Sequence, residues 1–173
     1  MFCASSEAID PALLELAADV GTEIARRGHS LVSGGGSVSM MGALAGAARR
    51  GGARSEGVIP RWLVDLEVAD RDADELVVVE TMRERKAEMD RRAEAFLVLP
   101  GGLGTLEEMF EVWTTRALGM HSKPVVLLDP TGIFDPLWTA LGTLAEQGFL
   151  RAEALDTLIV TRSVEDAFTS LGL

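Results

Sequence analysis

An α/β fold, in the form of one doubly wound domain over residues 1–173 with a parallel sheet of about seven strands flanked by helices, is predicted by three features of the sequence. Apolar runs of four to six residues alternate with longer stretches of helical period, the pattern of a parallel sheet wrapped by helices. Glycine-rich segments stand where expected strands give way to expected helices. The length of 173 residues suits one core, and 47% hydrophobic with 25% charged residues is ordinary for a globular chain rather than a disordered one.

The first expected strand covers residues 1–4 and begins at Met1 itself, which suggests that residues precede it in such a fold. A helix over 11–27 follows, with Asp10 as N-cap, Pro11 in the first turn and Gly28 placed for a left-handed C-terminal cap. Strand 29–33 and helix 40–50 come next, then strand 57–60 and, after the one long connection at 61–75, strand 76–79. That strand leads into helix 82–93 through Thr81 and Glu84, the spacing of a capping box. Strand 96–99 leads into helix 106–118 through Thr105 and Glu108 at the same spacing. Strand 125–128, helix 136–147, strand 157–160 and helix 164–171 complete the alternation, with no internal repeat and no interdomain linker.

Charge and composition exclude several function classes. A net charge of −11 and no long basic stripe argue against nucleic acid as a partner. Apolar runs far shorter than the roughly 20 residues of a bilayer span argue against membrane insertion. Residues 1–30 lack a basic start followed by a continuous apolar segment, so a cytoplasmic location is expected. Cys3 is the single cysteine, which excludes an internal disulfide and a thiolate zinc site, and His29 and His121 are too few and too far apart for a histidine metal cluster. No metal and no cofactor is expected.

Three segments carry the chemistry. Pro100-Gly101-Gly102-Leu103-Gly104-Thr105 lies between an apolar strand and a helix, where glycines let the backbone approach a ligand and a helix N-terminus offers N–H groups to an anion. Ser33-Gly34-Gly35-Gly36-Ser37 occupies the same place after the second strand, ahead of Met41-Gly42. Each alone also reads as a plain tight turn; two in one sheet favour binding of a small phosphate-bearing molecule. Neither ends in Gly-Lys-Ser/Thr, and no dinucleotide fingerprint follows the first strand, so triphosphate hydrolysis and hydride transfer lose support. In Met82-Arg83-Glu84-Arg85-Lys86-Ala87-Glu88-Met89, Arg85 and Lys86 fall near the sheet edge that the glycine turns share. They read either as a solvated basic face or as the local positive charge an anionic ligand requires in so acidic a chain. Glu108 reads either as the far half of a capping box or as a carboxylate that faces a ribose and stabilises charge at its anomeric carbon. Leu106, Met109, Phe110, Trp113 and Ala117 recur at helical spacing and read as packing.

Taken in order, Gly34-Gly35-Gly36-Ser37 with Met41-Gly42, Met82 through Met89, Pro100 through Glu108, and Leu118-Gly119-Met120-His121-Ser122-Lys123-Pro124 closely resemble the LONELY GUY family over about residues 2–130. Members of that family are cytokinin riboside 5′-monophosphate phosphoribohydrolases. The resemblance implies a Rossmann-like homodimer that hydrolyses the N-glycosidic bond of N6-substituted adenosine monophosphates, with AMP often accepted, to free base and ribose 5-phosphate. It implies Arg85 and Glu108 at the catalytic positions, with Lys86 and the turn through Gly101, Gly102, Gly104 and Thr105 holding the nucleotide. Glu67 and Thr114 fall where further substrate contacts are expected, Gly35 and Gly36 belong to the second turn, and Ser5 lies in a loop that helps wall the site. The helix bearing Phe110 and Trp113 is the expected dimer surface. Three departures stand out: Arg83 replaces a frequent histidine, Ser39 replaces a glycine, and the amino terminus is short.

Two other functions compete. The family has often carried a lysine decarboxylase label, but that chemistry needs a lysine bound to pyridoxal phosphate, and Lys86 and Lys123, the only lysines, have no evident pyridoxal environment. A non-catalytic nucleotide or molybdenum-cofactor carrier of the same superfamily uses similar glycine turns; Arg85 and Glu108 together favour the enzyme.

Overall fold

The computed structural model describes residues 1–66 and 68–172, and its chain forms two compact units, Met1–Ala93 and Glu94–Leu173. In the first unit the elements are α1 (Pro11–Arg26), β1 (Leu31–Ser33), α2 (Ser39–Arg50), β2 (Ser55–Pro60), α3 (Arg61–Asp65), β3 (Glu75–Val79) and α4 (Met82–Arg92). The second unit holds β4 (Phe96–Val98), α5 (Leu103–Ala117), β5 (Val125–Leu128), α6 (Asp135–Glu146), α7 (Ala152–Leu155), β6 (Ile159–Thr161) and α8 (Val164–Leu171).

All strand pairs are parallel. The first unit orders its sheet β1-β2-β3, with Val32 opposite Glu56 and Val58 opposite Val77; the second orders its sheet β4-β5-β6, with Leu97 opposite Val126 and Leu127 opposite Val160. The expected sheet of about seven strands is therefore replaced by two three-stranded sheets, each laid down in chain order because every crossover returns to the same side of its predecessor. Residues 1–4 form no strand of their own. Phe2 alone is a bridge residue, and the terminal ammonium of Met1 donates to Val32 O at 2.9 Å, which lays the segment beside β1.

Local chemistry explains where the helices sit. The Asp10 carboxylate accepts from Ala12 N at 2.9 Å to open α1, and Gly28 closes it at φ +74° with the paired Gly28 N to Ala25 O and His29 N to Ile24 O bonds. Gly21 lets α1 lie against α2, since a Cβ there would stand 2.3 Å from Leu44 O. Thr81 and Glu84 form the expected capping box at the start of α4. Val125, Val126, Leu127 and Leu128 are all fully buried, as a strand covered on both faces requires, and each contributes about 1.5–3 kcal/mol relative to exposure. Beside them Asp129 is also buried. Its carboxylate accepts from Gly132 N, Ile133 N and Phe134 N at 3.0–3.2 Å, while Arg162 bridges Asp129 O and Asp135. Helices α3 and α7, each of five residues or fewer, are too short to show a helical period in the sequence.

Candidate nucleotide site

In the first unit the triple-glycine turn leaves the carboxyl end of β1. Gly35 takes φ +72°, and Gly35 N donates to the Ser33 hydroxyl oxygen at 3.3 Å. Arg85 is the fourth residue of α4, only 8% exposed, with Nε donating to Val58 O at 3.1 Å. Its guanidinium rests on Gly34, where a Cβ would stand 1.7 Å from Nη2. A cation buried among backbone groups is not the solvated helix face that α4 otherwise presents. Lys86 follows it, half-buried, and Arg83 is exposed.

A short strap crosses the same turn. Ser37 N donates to Val68 O and Asp70 N to Gly35 O, both at 2.8 Å, and Gly36 bridges Ala69 in antiparallel sense. The strap is anchored where Arg49 Nη1 meets Asp70 Oδ2 at 2.6 Å, a half-buried pair that also reaches Ser55 Oγ at 3.3 Å. Nothing in sequence spacing pairs Arg49 with Asp70, which are 21 positions apart with β2 between them in the chain. Glu67 lies outside the described residues. Ser5 is exposed in the segment between Ala4 and α1, and the neighbouring Ser6 O accepts from the Ser39 hydroxyl.

In the second unit the Pro100-Gly101-Gly102 turn leaves the carboxyl end of β4 and enters α5. Gly102 is the N-cap and offers no side chain, so the first-turn N–H groups of a 15-residue helix open onto the exposed Gly102-Leu103-Gly104 surface. A Cβ at Gly101 would stand 2.2 Å from Thr105 Oγ1, so glycine there lets Thr105 fold back over the turn, where it is buried.

The helix begins at Leu103, two residues before Thr105, which corrects the expected capping box. Thr105 occupies the third helical position; Glu108 occupies the sixth, beyond the first four N–H groups that lack intrahelical partners. Glu108 is nevertheless only 7% exposed. A glutamate so placed has no capping role to explain its burial. Thr114 lies on the opposite, exposed face of α5 with Glu107, Glu111 and Leu118. Trp113 is 5% exposed and donates to Ala154 O at 2.9 Å and Thr157 Oγ1 at 3.0 Å, so it packs inside the unit instead of offering a dimer surface. The apolar groups exposed near the ends of α5 are Leu103, Leu118 and Met120. The Lys123 ammonium stands 5.5 Å from the centre of the Phe96 ring, a cation–π placement.

Acidic groups around α4 are neutralised locally. Hydrogen bonds from Arg91 and then Arg92 hold the Glu88 carboxyl down at about 2, and Arg54 followed by Arg92 lowers Glu56. Among the described residues no cluster of His, Cys, Asp and Glu has the makings of a metal site, and no helix is long and apolar enough to cross a membrane.

Comparison with known proteins places these features in a family. The family model described as "Possible lysine decarboxylase" matches residues 41–171. The chain is 53% identical over 167 residues to the cytokinin riboside 5′-monophosphate phosphoribohydrolase of Mycobacterium marinum, covering 96% of this chain and 89% of that one. It is 39% identical over 171 residues to the enzyme of the same name from Arabidopsis thaliana, covering 99% and 79%. Among solved structures it is similar to the molybdenum cofactor binding protein of Rippkaea orientalis, with TM-score 0.70 at 21% identity over 94% of this chain and 88% of that one. The Moco carrier protein of Chlamydomonas reinhardtii gives 0.69 at 20% over 97% and 90%. At such identity these two establish a shared α/β fold and no more. The family match and the much closer sequence relatives agree with the motifs at Gly34–Gly36, Arg85 and Gly101–Glu108, and the chain belongs to the LONELY GUY family.

Proposed function

We propose that this chain is a hydrolase of the N-glycosidic bond in adenosine 5′-monophosphates, N6-substituted ones included, yielding free base and ribose 5-phosphate. The observation that carries the reading is 53% identity, across nearly the whole chain, to a relative named for this reaction. In the reaction the C1′–N9 bond breaks with its electron pair leaving on the base, a water oxygen bonds to C1′, and a water proton ends on the base. Positive charge accumulates on the ribose at the midpoint, so a fixed carboxylate accelerates the step.

Glu108 supplies that carboxylate and Arg85 the fixed positive charge that receives the nucleotide. Burial of both supports these roles, since each is held in one orientation before substrate arrives. The uncapped start of α5, with Gly101, Gly102, Gly104 and Thr105, binds phosphate, and Lys86 adds charge. Gly35, Gly36, Ser5, Glu67 and Thr114 complete the substrate contacts. Residues 1–173 act as one nucleotide-monophosphate-binding domain, in the cytoplasm, as a homodimer.

The test is incubation of purified protein with AMP and with isopentenyladenosine monophosphate, followed by chromatography for free base. Release of many equivalents per chain supports the reading. Stoichiometric nucleotide binding without base release would replace it with a carrier.

A further inference from the structure

Among the described residues Ser39 is the one non-glycine with a positive φ, +53°. A left-handed serine at the first residue of a helix is unfavourable, and the preceding Val38 offers no side-chain cap in exchange. Such a conformation persists only where surrounding contacts hold it, and it is a starting point for asking what the contact does. Here the contact is the Ser39 hydroxyl donating to Ser6 O, a bond between positions 33 apart that glycine cannot make.

Its placement gives the bond a consequence. Met1 lies beside Val32 of β1, and the bond from Ser39, which follows the turn leaving the carboxyl end of that strand, brings Ser6 to the end that carries Gly34–Gly36 and the buried guanidinium of Arg85. Ligands of parallel α/β sheets bind outside the carboxyl ends of strands. Residues 5–8 are exposed, and the Ser39 bond ties them to another element.

We propose that Ser39 is a positioning residue: it holds a strained backbone so that its hydroxyl pins residues 5–9 beside the triple-glycine turn, where they form one side of the nucleotide site. The inference rests on the nucleotide reading above, because only a ligand at this edge gives the pinned segment something to enclose.

Two variants separate the latch from general stability. Ser39→Ala keeps the left-handed strain and loses the bond; Ser39→Gly relieves the strain and loses the same bond. Melting temperatures therefore move in opposite directions relative to each other, with Ser39→Gly the more stable. Both variants nonetheless show faster amide hydrogen exchange in residues 5–9. Both also raise Kd and KM for AMP roughly fivefold, as expected when the competent arrangement is populated about a fifth of the time, with kcat changed less than about twofold. A merely structural serine would make affinity follow melting temperature. Wild-type Kd in either folded variant, or unchanged exchange in residues 5–9, overturns the proposal. If wild-type protein binds AMP but releases no base, the hydrolase reading fails while Kd and exchange still judge the latch; if it binds no AMP, both fail.

Discussion

The guanidinium of Arg85 occupies the space that a side chain at residue 34 would need: a Cβ on Gly34 would stand 1.7 Å from Nη2 and 2.9 Å from Cζ. Arg85 Nε is meanwhile fixed on Val58 O at 3.1 Å. Glycine at 34 thus sets where the positive charge sits, without touching the charge itself. Gly34→Ala should fold, because the clash falls on the end of a flexible side chain and not on backbone. It should lower kcat/KM for AMP by roughly tenfold or more through displacement of Arg85. Unchanged turnover in that variant would show that the position of the guanidinium does not matter.

If the uncapped start of α5 binds the phosphate, the phosphate should be required for turnover. Adenosine should react far more slowly than AMP, since a helix N-terminus and glycine turn contribute binding only when the anion is present. Gly101→Ala drives a Cβ to 2.2 Å from Thr105 Oγ1 and 2.6 Å from Thr105 Cβ, so the turn or the helix must shift. Its turnover of AMP should fall toward that of adenosine, while its activity on adenosine stays where it was. Equal loss on both substrates would remove the turn from phosphate recognition.

Acid should weaken the first unit through its glutamates. Hydrogen bonds from Arg26 and Arg27 hold Glu23 at about 2, as Arg91 and Arg92 hold Glu88, against an ordinary value of 4.5. A carboxyl whose pKa is lower in the folded than in the unfolded chain adds stability that is complete above the unfolded value and drains as pH falls through the folded one. Melting temperature should therefore drop between pH 4.5 and about 2, less steeply at high salt because Arg26 and Arg91 are largely exposed. Glu88→Gln should flatten that descent. An identical acid profile for wild type and variant would assign the loss to other groups.

A homodimer should be visible by light scattering at micromolar concentration as about twice 18.5 kDa. Because Trp113 is internal, Leu118→Glu should disfavour association more than any change at Trp113 that leaves the fold intact, Leu118 being 71% exposed. A mass of one chain would refute the dimer.

The glycine turns and the α4 capping box were legible because their signals are local: a strand, a run of glycines, a threonine three residues before a glutamate. The same threonine–glutamate spacing misled at Thr105 and Glu108, since Gly102 serves as an N-cap without a side chain and lets α5 start earlier than sequence marks it. Whether Trp113 packs inside its unit or faces a partner is not decided by helical spacing, because its hydrogen-bond partners, Ala154 and Thr157, lie more than forty residues away. The Arg49–Asp70 anchor and the Ser39–Ser6 bond, between positions 21 and 33 apart, likewise leave no mark in local spacing. Residues 1–4 have the composition of a strand, yet a segment that short depends on neighbours for its pairing, which composition does not reveal.

The start of α5 also sharpens what substitution of Glu108 tests. At the sixth helical position its carboxylate cannot close the helix end, so Glu108→Gln removes charge without removing a cap, and the side-chain volume stays the same. The variant should fold with a melting temperature within a few degrees of wild type and still bind AMP. If the carboxylate stabilises the cationic ribose or positions water, loss of its charge should cost on the order of 3 kcal/mol in the barrier, a fall in kcat of roughly a hundredfold or more with KM little changed. Glu107→Gln, one residue away on the exposed face, controls for net charge and should leave kcat within about twofold. Base release near the wild-type rate from well-folded Glu108→Gln protein would strike Glu108 from the catalytic residues and leave its burial to be explained by structure alone.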